Sequence, residues 1–175
     1  MIIVGEVDIS EIQRHEEATA SNVRLGGYHM DRHSPANDFQ CFRVLLESQD
    51  DDRVFLLSLT VFINQTQGLS GRLRDLVPAA LAIEGVSSFT TMGTDLRTRA
   101  GWELVFVASE LHSAPLVAID GNHRAIAQYL TYGSMEGVPA YVCVHQAIGQ
   151  WGYVPQLART QTKHDSPGTT SDGKR

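Results

Sequence analysis

Apolar positions cluster along this chain in short runs whose spacing predicts alternating strands and helices. Ile2 to Ile9 reads as an opening strand, and Ser10 is placed to cap a short turn or helix through Ile12. His15-Glu16-Glu17 follows, then a glycine-containing stretch from Leu25 to Pro35 that reads as loop. Phe42 to Glu47 and Val54 to Ile63 are rich in β-formers and flank the polar run Ser48-Gln49-Asp50-Asp51-Asp52. That pattern predicts an antiparallel hairpin with a solvated tip. Leu73, Leu76, Val77, Ala80 and Leu81 recur on one face of an amphipathic helix over Arg72 to Glu84, which Pro78 kinks or shortens and Gly85 ends. Trp102 to Ala108 and Pro115 to Ile119 predict two more strands joined through Leu111 to Ala114. Ala125 to Tyr132 then reads as a helix stopped by Gly133, and Val138 to Val144 as a final strand. The alternation predicts an α/β fold with a mixed sheet, one domain over residues 1–159. From Thr160 to Arg175 almost no apolar residue remains, and that tail is expected to be disordered.

Composition changes this picture little, but charge narrows the partners. Hydrophobic residues make up 42% of the 175 positions and charged ones 19%, enough apolar material for a core. A formal net charge of −6 argues against a protein that grips nucleic acid by bulk electrostatics. Cys41 and Cys143 sit in strand-like runs without metal-ligand spacing and read as buried free thiols. The start MIIVGEVDIS has no basic segment followed by a long apolar core, and no apolar stretch approaches the roughly 20 residues that span a bilayer. The expected setting is cytoplasmic, with no membrane partner.

The most informative stretch is Asp120-Gly121-Asn122-His123-Arg124, where an apolar strand stops and a helix begins. A glycine turn from strand to helix leaves backbone N–H groups unpaired at the positive end of the helix dipole, which attracts anions. Arg124 can grip a phosphate bidentately, and His123 stands beside it. The turn therefore reads as a phosphate cradle at the mouth of the main pocket. The plainer alternative leaves Asp120 as a helix cap with His123 and Arg124 in solvent.

With that turn between a strand and a helix, Pro115 to Val144 resembles the ParB/sulfiredoxin superfamily, which carries a Gly-x-His-Arg phosphate-binding turn. Here the turn reads Gly121-Asn122-His123-Arg124. The preceding Asp120 makes it most similar to the branch of the ADP-dependent free-serine kinase, whose turn is Asp-Gly-His-His-Arg. Asn122 takes the place of the cysteine that sulfiredoxin needs, so sulfinic acid reduction is not expected. In the kinase branch a His-Glu pair follows the first strand, and VDISEIQRHEEA puts His15 and Glu16 in the corresponding place. The resemblance implies a ParB/sulfiredoxin-like mixed sheet with helices, into which the hairpin and helix of about residues 41–85 are inserted.

Phosphoryl transfer needs an anion cradle, charge neutralisation and a group that orients the nucleophile. The resemblance assigns the cradle to Gly121, Asn122, His123 and Arg124, with Glu16 as base and Asp120 orienting the acceptor hydroxyl or holding Mg2+. It implies ATP or ADP as cofactor and a small hydroxyl-bearing substrate. The competing reading is a nucleotide- or nucleic-acid-binding regulator of the same superfamily without catalysis. Other residues add little. His29 and His33 read as surface loop, and Arg97 and Arg99 are candidates for a nucleotide tail. Trp102, Phe106 and Tyr129 are expected in the core, with Trp151 and Tyr153 packing the C-terminus. Ser109 and His112 lack the Gly-x-Ser-x-Gly that a hydrolase elbow requires.

Overall fold

The computed structural model describes residues 1–18, 39–56, 71–84, 95–98 and 100–150. Along the chain these form β1 (Ile2–Val7), α1 (Ile9–Ala18), β2 (Gln40–Leu45), a 3-10 helix (Ser48–Arg53), β3 (Val54–Leu56) and α2 (Leu73–Glu84). β4 (Leu104–Ala108), β5 (Leu116–Asp120), α3 (Asn122–Tyr132), β6 (Pro139–Val144) and a second 3-10 helix (Gln146–Gln150) follow. The six strands make one mixed sheet in the order β1-β2-β6-β4-β5-β3. β4 runs parallel to β6 and antiparallel to β5, and β3 joins the far edge parallel to β5. The α/β class is as expected. Among the described residues no helix is long and apolar enough to cross a membrane.

Burial explains the unbroken apolar runs of the central strands. Every residue of β4 is buried, as are the first four of β5. Strand alternation sends Leu104, Phe106 and Ala108 into a core with Leu73, Leu76 and Val77 of α2 and Ala125 and Ile126 of α3. Val105 and Val107 point the other way, into a second core with Ile12 of α1, Val117 and Ile119. A strand covered by helices on both faces has no solvent side on which to place polar residues.

Local signals set the helix ends. Asp8, not the expected Ser10, caps α1: its Oδ1 accepts the Ser10 amide at 2.7 Å. α2 continues through Pro78, which is exposed and costs one backbone bond. Gly133 ends α3 as expected, in the left-handed conformation at φ 70°, its N–H donating to Tyr129 O.

The expected hairpin does not form. β2 pairs with β1 and β6, whereas β3 pairs with β5 at the opposite edge. Residues 57–63 of the second arm lie outside the described residues. The acidic run between the strands is no solvated tip. Asp50 is 1% exposed and bonds Arg53 Nη1 at 2.8 Å, with the Met1 ammonium 2.7 Å away. Arg53 in turn donates to the carbonyl oxygens of Leu111 and Ala114, both at 2.8 Å from Nη2. Asp51 Oδ1 accepts the Met135 amide at 2.8 Å. These bonds tie the 3-10 segment to two loops and carry the chain across the sheet, so the described part of residues 41–85 supplies β2, β3 and α2 to the common architecture.

Asp50→Ala should lower the unfolding free energy by about 3–5 kcal/mol, because it leaves Arg53 without its carboxylate in a largely buried place. Asp52→Ala, at an exposed ion pair with Arg74, should change it by no more than about 0.5 kcal/mol. Urea titrations giving equal losses for the two variants would refute this division of roles.

Candidate functional site

Gly121 alone turns the end of β5 into α3. Its φ is 85°, and a Cβ there would collide with Leu104 Cδ2 and stand 3.1 Å from Arg124 Nη2. Torsion and close approach both demand glycine. Because one residue makes the turn, α3 starts at Asn122, three residues before the expected Ala125. Asn122, His123 and Arg124 therefore form the first helical turn. The Ala125 amide is the first to reach an acceptor of the helix, Gly121 O at 2.8 Å, and no side chain caps the end. The three amides before it have no acceptor within the helix, which is the geometry of an anion site. Two basic side chains here oppose the helix dipole unless negative charge offsets them.

For Arg124 that charge is internal. Nη2 donates to Asp120 Oδ2 at 2.6 Å, and Nη1 to the carbonyl oxygens of Trp102 at 2.9 Å and Glu103 at 3.3 Å. The side chains are 12% and 11% exposed, and the guanidinium carbon lies 5.8 Å from the centre of the Trp102 ring. Arg124 thus braces the end of β5 against the start of β4, with its terminal nitrogens committed to protein acceptors. His123 is half-buried in the same turn. Asn122 is 9% exposed, and its Oδ1 is buried without a hydrogen-bond partner. Asp120 retains Oδ1, and Mg2+ bound through water and nucleotide phosphates needs only one or two carboxylates. Among the described residues no group of three or more His, Cys, Asp or Glu is arranged to hold a metal by itself.

The second expected motif arrives on a different element. For Glu16 to reach Asp120 through the sheet, β1 would have to lie beside β5, yet three strands separate them. α1 crosses the sheet instead, anchored by the fully buried Ile12. It sets His15 Nε2 3.0 Å from Glu103 O, the carbonyl that Arg124 also contacts. Glu16 is the next residue of α1, and its side chain lies outside the described residues.

Strand register assembles the surroundings. Arg43 lies opposite Tyr141, Tyr141 beside Val105, and Val105 opposite Asp120, one row across four strands. Glu103, 4% exposed, receives Arg43 Nη2 at 2.9 Å, and its Oε2 lies 3.7 Å from His15 Nδ1. The Tyr141 hydroxyl donates to Glu11 Oε1 at 3.1 Å, and its ring meets His15 edge-on at 5.3 Å. Burial, then the Glu11 hydrogen bond and the charge of Glu103, push the Tyr141 phenol up to about 12. Sequence reasoning missed Glu11, Arg43, Glu103 and Tyr141. A charged residue inside an apolar strand, such as Arg43 between Phe42 and Val44, was the available signal.

Other candidates fall elsewhere. Arg97 pairs with Asp95 at 2.7 Å and lies 4.2 Å over the Tyr132 ring, at the far end of α3 from the turn. Phe106 is buried as expected, and Trp102 and Tyr129 pack partly buried against the core. His29, His33, Arg99, Trp151, Tyr153 and the 160–175 tail lie outside the described residues. A cleft of about 710 Å³ opens at the carboxyl ends of β4 and β6, lined by residues such as Phe42, Ser109, Glu110 and Val144. It lies at the opposite end of the sheet from Asp120, and none of residues 120–124 lines it. Comparison with known protein families, curated proteins and solved structures finds no match to the chain.

Arg124→Met should cost about 3–5 kcal/mol of stability, since it leaves the Asp120 carboxylate unpaired in a nearly buried place. A loss under about 1 kcal/mol in denaturant titration would show that the brace contributes little. Tyr141 predicts an alkaline effect. Its folded value of about 12 exceeds the usual value of about 10, so its contribution is intact below pH 10 and lost as pH rises to about 12. Tyr141→Phe should flatten the fall in stability over that window, and an unchanged alkaline limb would contradict the assignment.

Proposed function

We propose that the protein is a nucleotide-dependent phosphotransferase that acts on a small hydroxyl-bearing molecule and holds nucleotide phosphate at the start of α3. The observation that carries this reading is the meeting of both sequence motifs at one backbone atom: His15 and Arg124 contact the same Glu103 carbonyl. The first turn of α3, Asn122, His123 and Arg124, lies at the positive end of the helix dipole and, together with the His123 side chain, forms the phosphate cradle. Arg124 positions this turn through Asp120. Asp120 would hold Mg2+ or orient the acceptor hydroxyl, and the ion, if held there, would supply charge neutralisation for the transferred phosphoryl group. Glu16, one residue beyond His15, accepts the hydroxyl proton.

One observation favours a second reading, a nucleotide-binding regulator without catalysis. The Asp120 carboxylate is already held by Arg124 at 2.6 Å, which suits a binding turn as well as a reacting one. Titrating ATP and ADP with Mg2+ by calorimetry, followed by phosphorus NMR with a panel of small alcohols, separates the two. The phosphotransferase should bind nucleotide, and His123→Ala should weaken that binding by about tenfold, the equivalent of one charge-assisted hydrogen bond. Glu16→Gln should keep binding and lower kcat by about 10²–10⁴-fold. Binding without transfer to any acceptor selects the regulator, and no binding of either nucleotide removes both readings.

A further inference from the structure

Cys41 of β2 and Cys143 of β6 stand directly opposite each other in the antiparallel register. Their Sγ atoms are 2.8 Å apart, although 102 positions separate them along the chain. Neither is in a disulfide, and they are 1% and 0% exposed, in the core that α1 covers, among Ile12, Val105, Val107 and Ile148. We propose that this pair is an oxidation site, at which hydrogen peroxide converts the two thiols into a cross-strand disulfide that clamps β2 to β6.

The backbone is already suited to the bond. Facing residues of an antiparallel ladder have Cα atoms about 4.5–5.5 Å apart, within the range of about 4.4–6.8 Å that disulfides span. Both side chains lie on one face of the sheet, so neither strand has to slip. Peroxide oxidises one thiol to a sulfenic acid and releases one water. The second sulfur attacks that sulfenic sulfur, its proton leaves with the hydroxyl as a second water, and the S–S bond closes. Two electrons pass from the two thiols to one peroxide. Apolar burial disfavours the thiolate and makes the first step slow. It also favours a small oxidant over a bulky disulfide, which would have to part β2 from β1 or lift α1 to reach the sulfurs. The next pair on the same face is Arg43 and Tyr141, which hold Glu103 and Glu11, so the clamp secures the residues that position α1.

The chain has only two cysteines, which makes the test direct. The folded full-length protein is treated with hydrogen peroxide over a time course, alkylated in denaturant, weighed, mapped without reductant and melted. Both thiols should disappear together with the loss of two hydrogens, and a Cys41–Cys143 linked peptide should appear. Closing a loop of this length should raise Tm by about 5–15 °C, reversed by dithiothreitol. Cys41→Ala and Cys143→Ala, each keeping one thiol, should show no reversible rise. Thiols that persist in the folded protein, independent oxidation of each cysteine to sulfinic acid, a bond between two molecules, or a linked pair without a rise in Tm would each overturn the proposal.

Discussion

β4 buries all of its side chains, on both faces of the sheet, and the rest of the structure follows from that demand. A strand of Leu, Val, Phe, Val and Ala gains its stability only if both surfaces leave water. One surface is closed by α2 and α3, packed through Leu73, Leu76, Ala125 and Ile126. The other is closed by α1 through Ile12 and by Ile148 of the last 3-10 helix. The motif-bearing segments are therefore where they are because β4 needs cover. α3 begins beside the amino end of β4, and α1 crosses toward the same end from the other face.

At that end the apolar row gives way to a cluster of polar and charged groups. Glu103 shows how tightly the two faces are joined. Its carbonyl serves Arg124 from one side and His15 from the other, while its carboxylate takes Arg43. Buried charges of this kind are costly to break and set geometry more than they add stability. They fix α1 against the sheet and fix the start of α3 against β4.

The misreadings share one cause. Ser48 to Asp52 has the composition of a hairpin tip, yet its charges have partners far along the chain: Arg53 reaches Leu111 and Ala114, and Asp51 reaches Met135. A polar run flanked by β-formers looks the same whether the strands pair with each other or cross the sheet. Likewise β1 is legible as a strand, but its place at the edge depends on β2 entering between β1 and β6. The partners of Arg124 are equally hidden from the sequence, because the carbonyl oxygens it bonds, those of Trp102 and Glu103, carry no sequence signature.

By itself the sequence determined the elements and the turn. Apolar runs marked β4, β5 and β6, periodicity marked α2, and Gly121 and Gly133 bounded α3 to within a few residues. These are local properties, governed by torsional freedom, spacing and capping within a few positions. Only the tertiary structure decided which strands are neighbours, that Asp50 is buried, that His15 and Arg124 meet at one carbonyl, and that Cys41 faces Cys143. Each of those depends on contacts between distant segments, whose free energy comes from the shared burial of both faces of β4 and not from any residue's own neighbours in the chain.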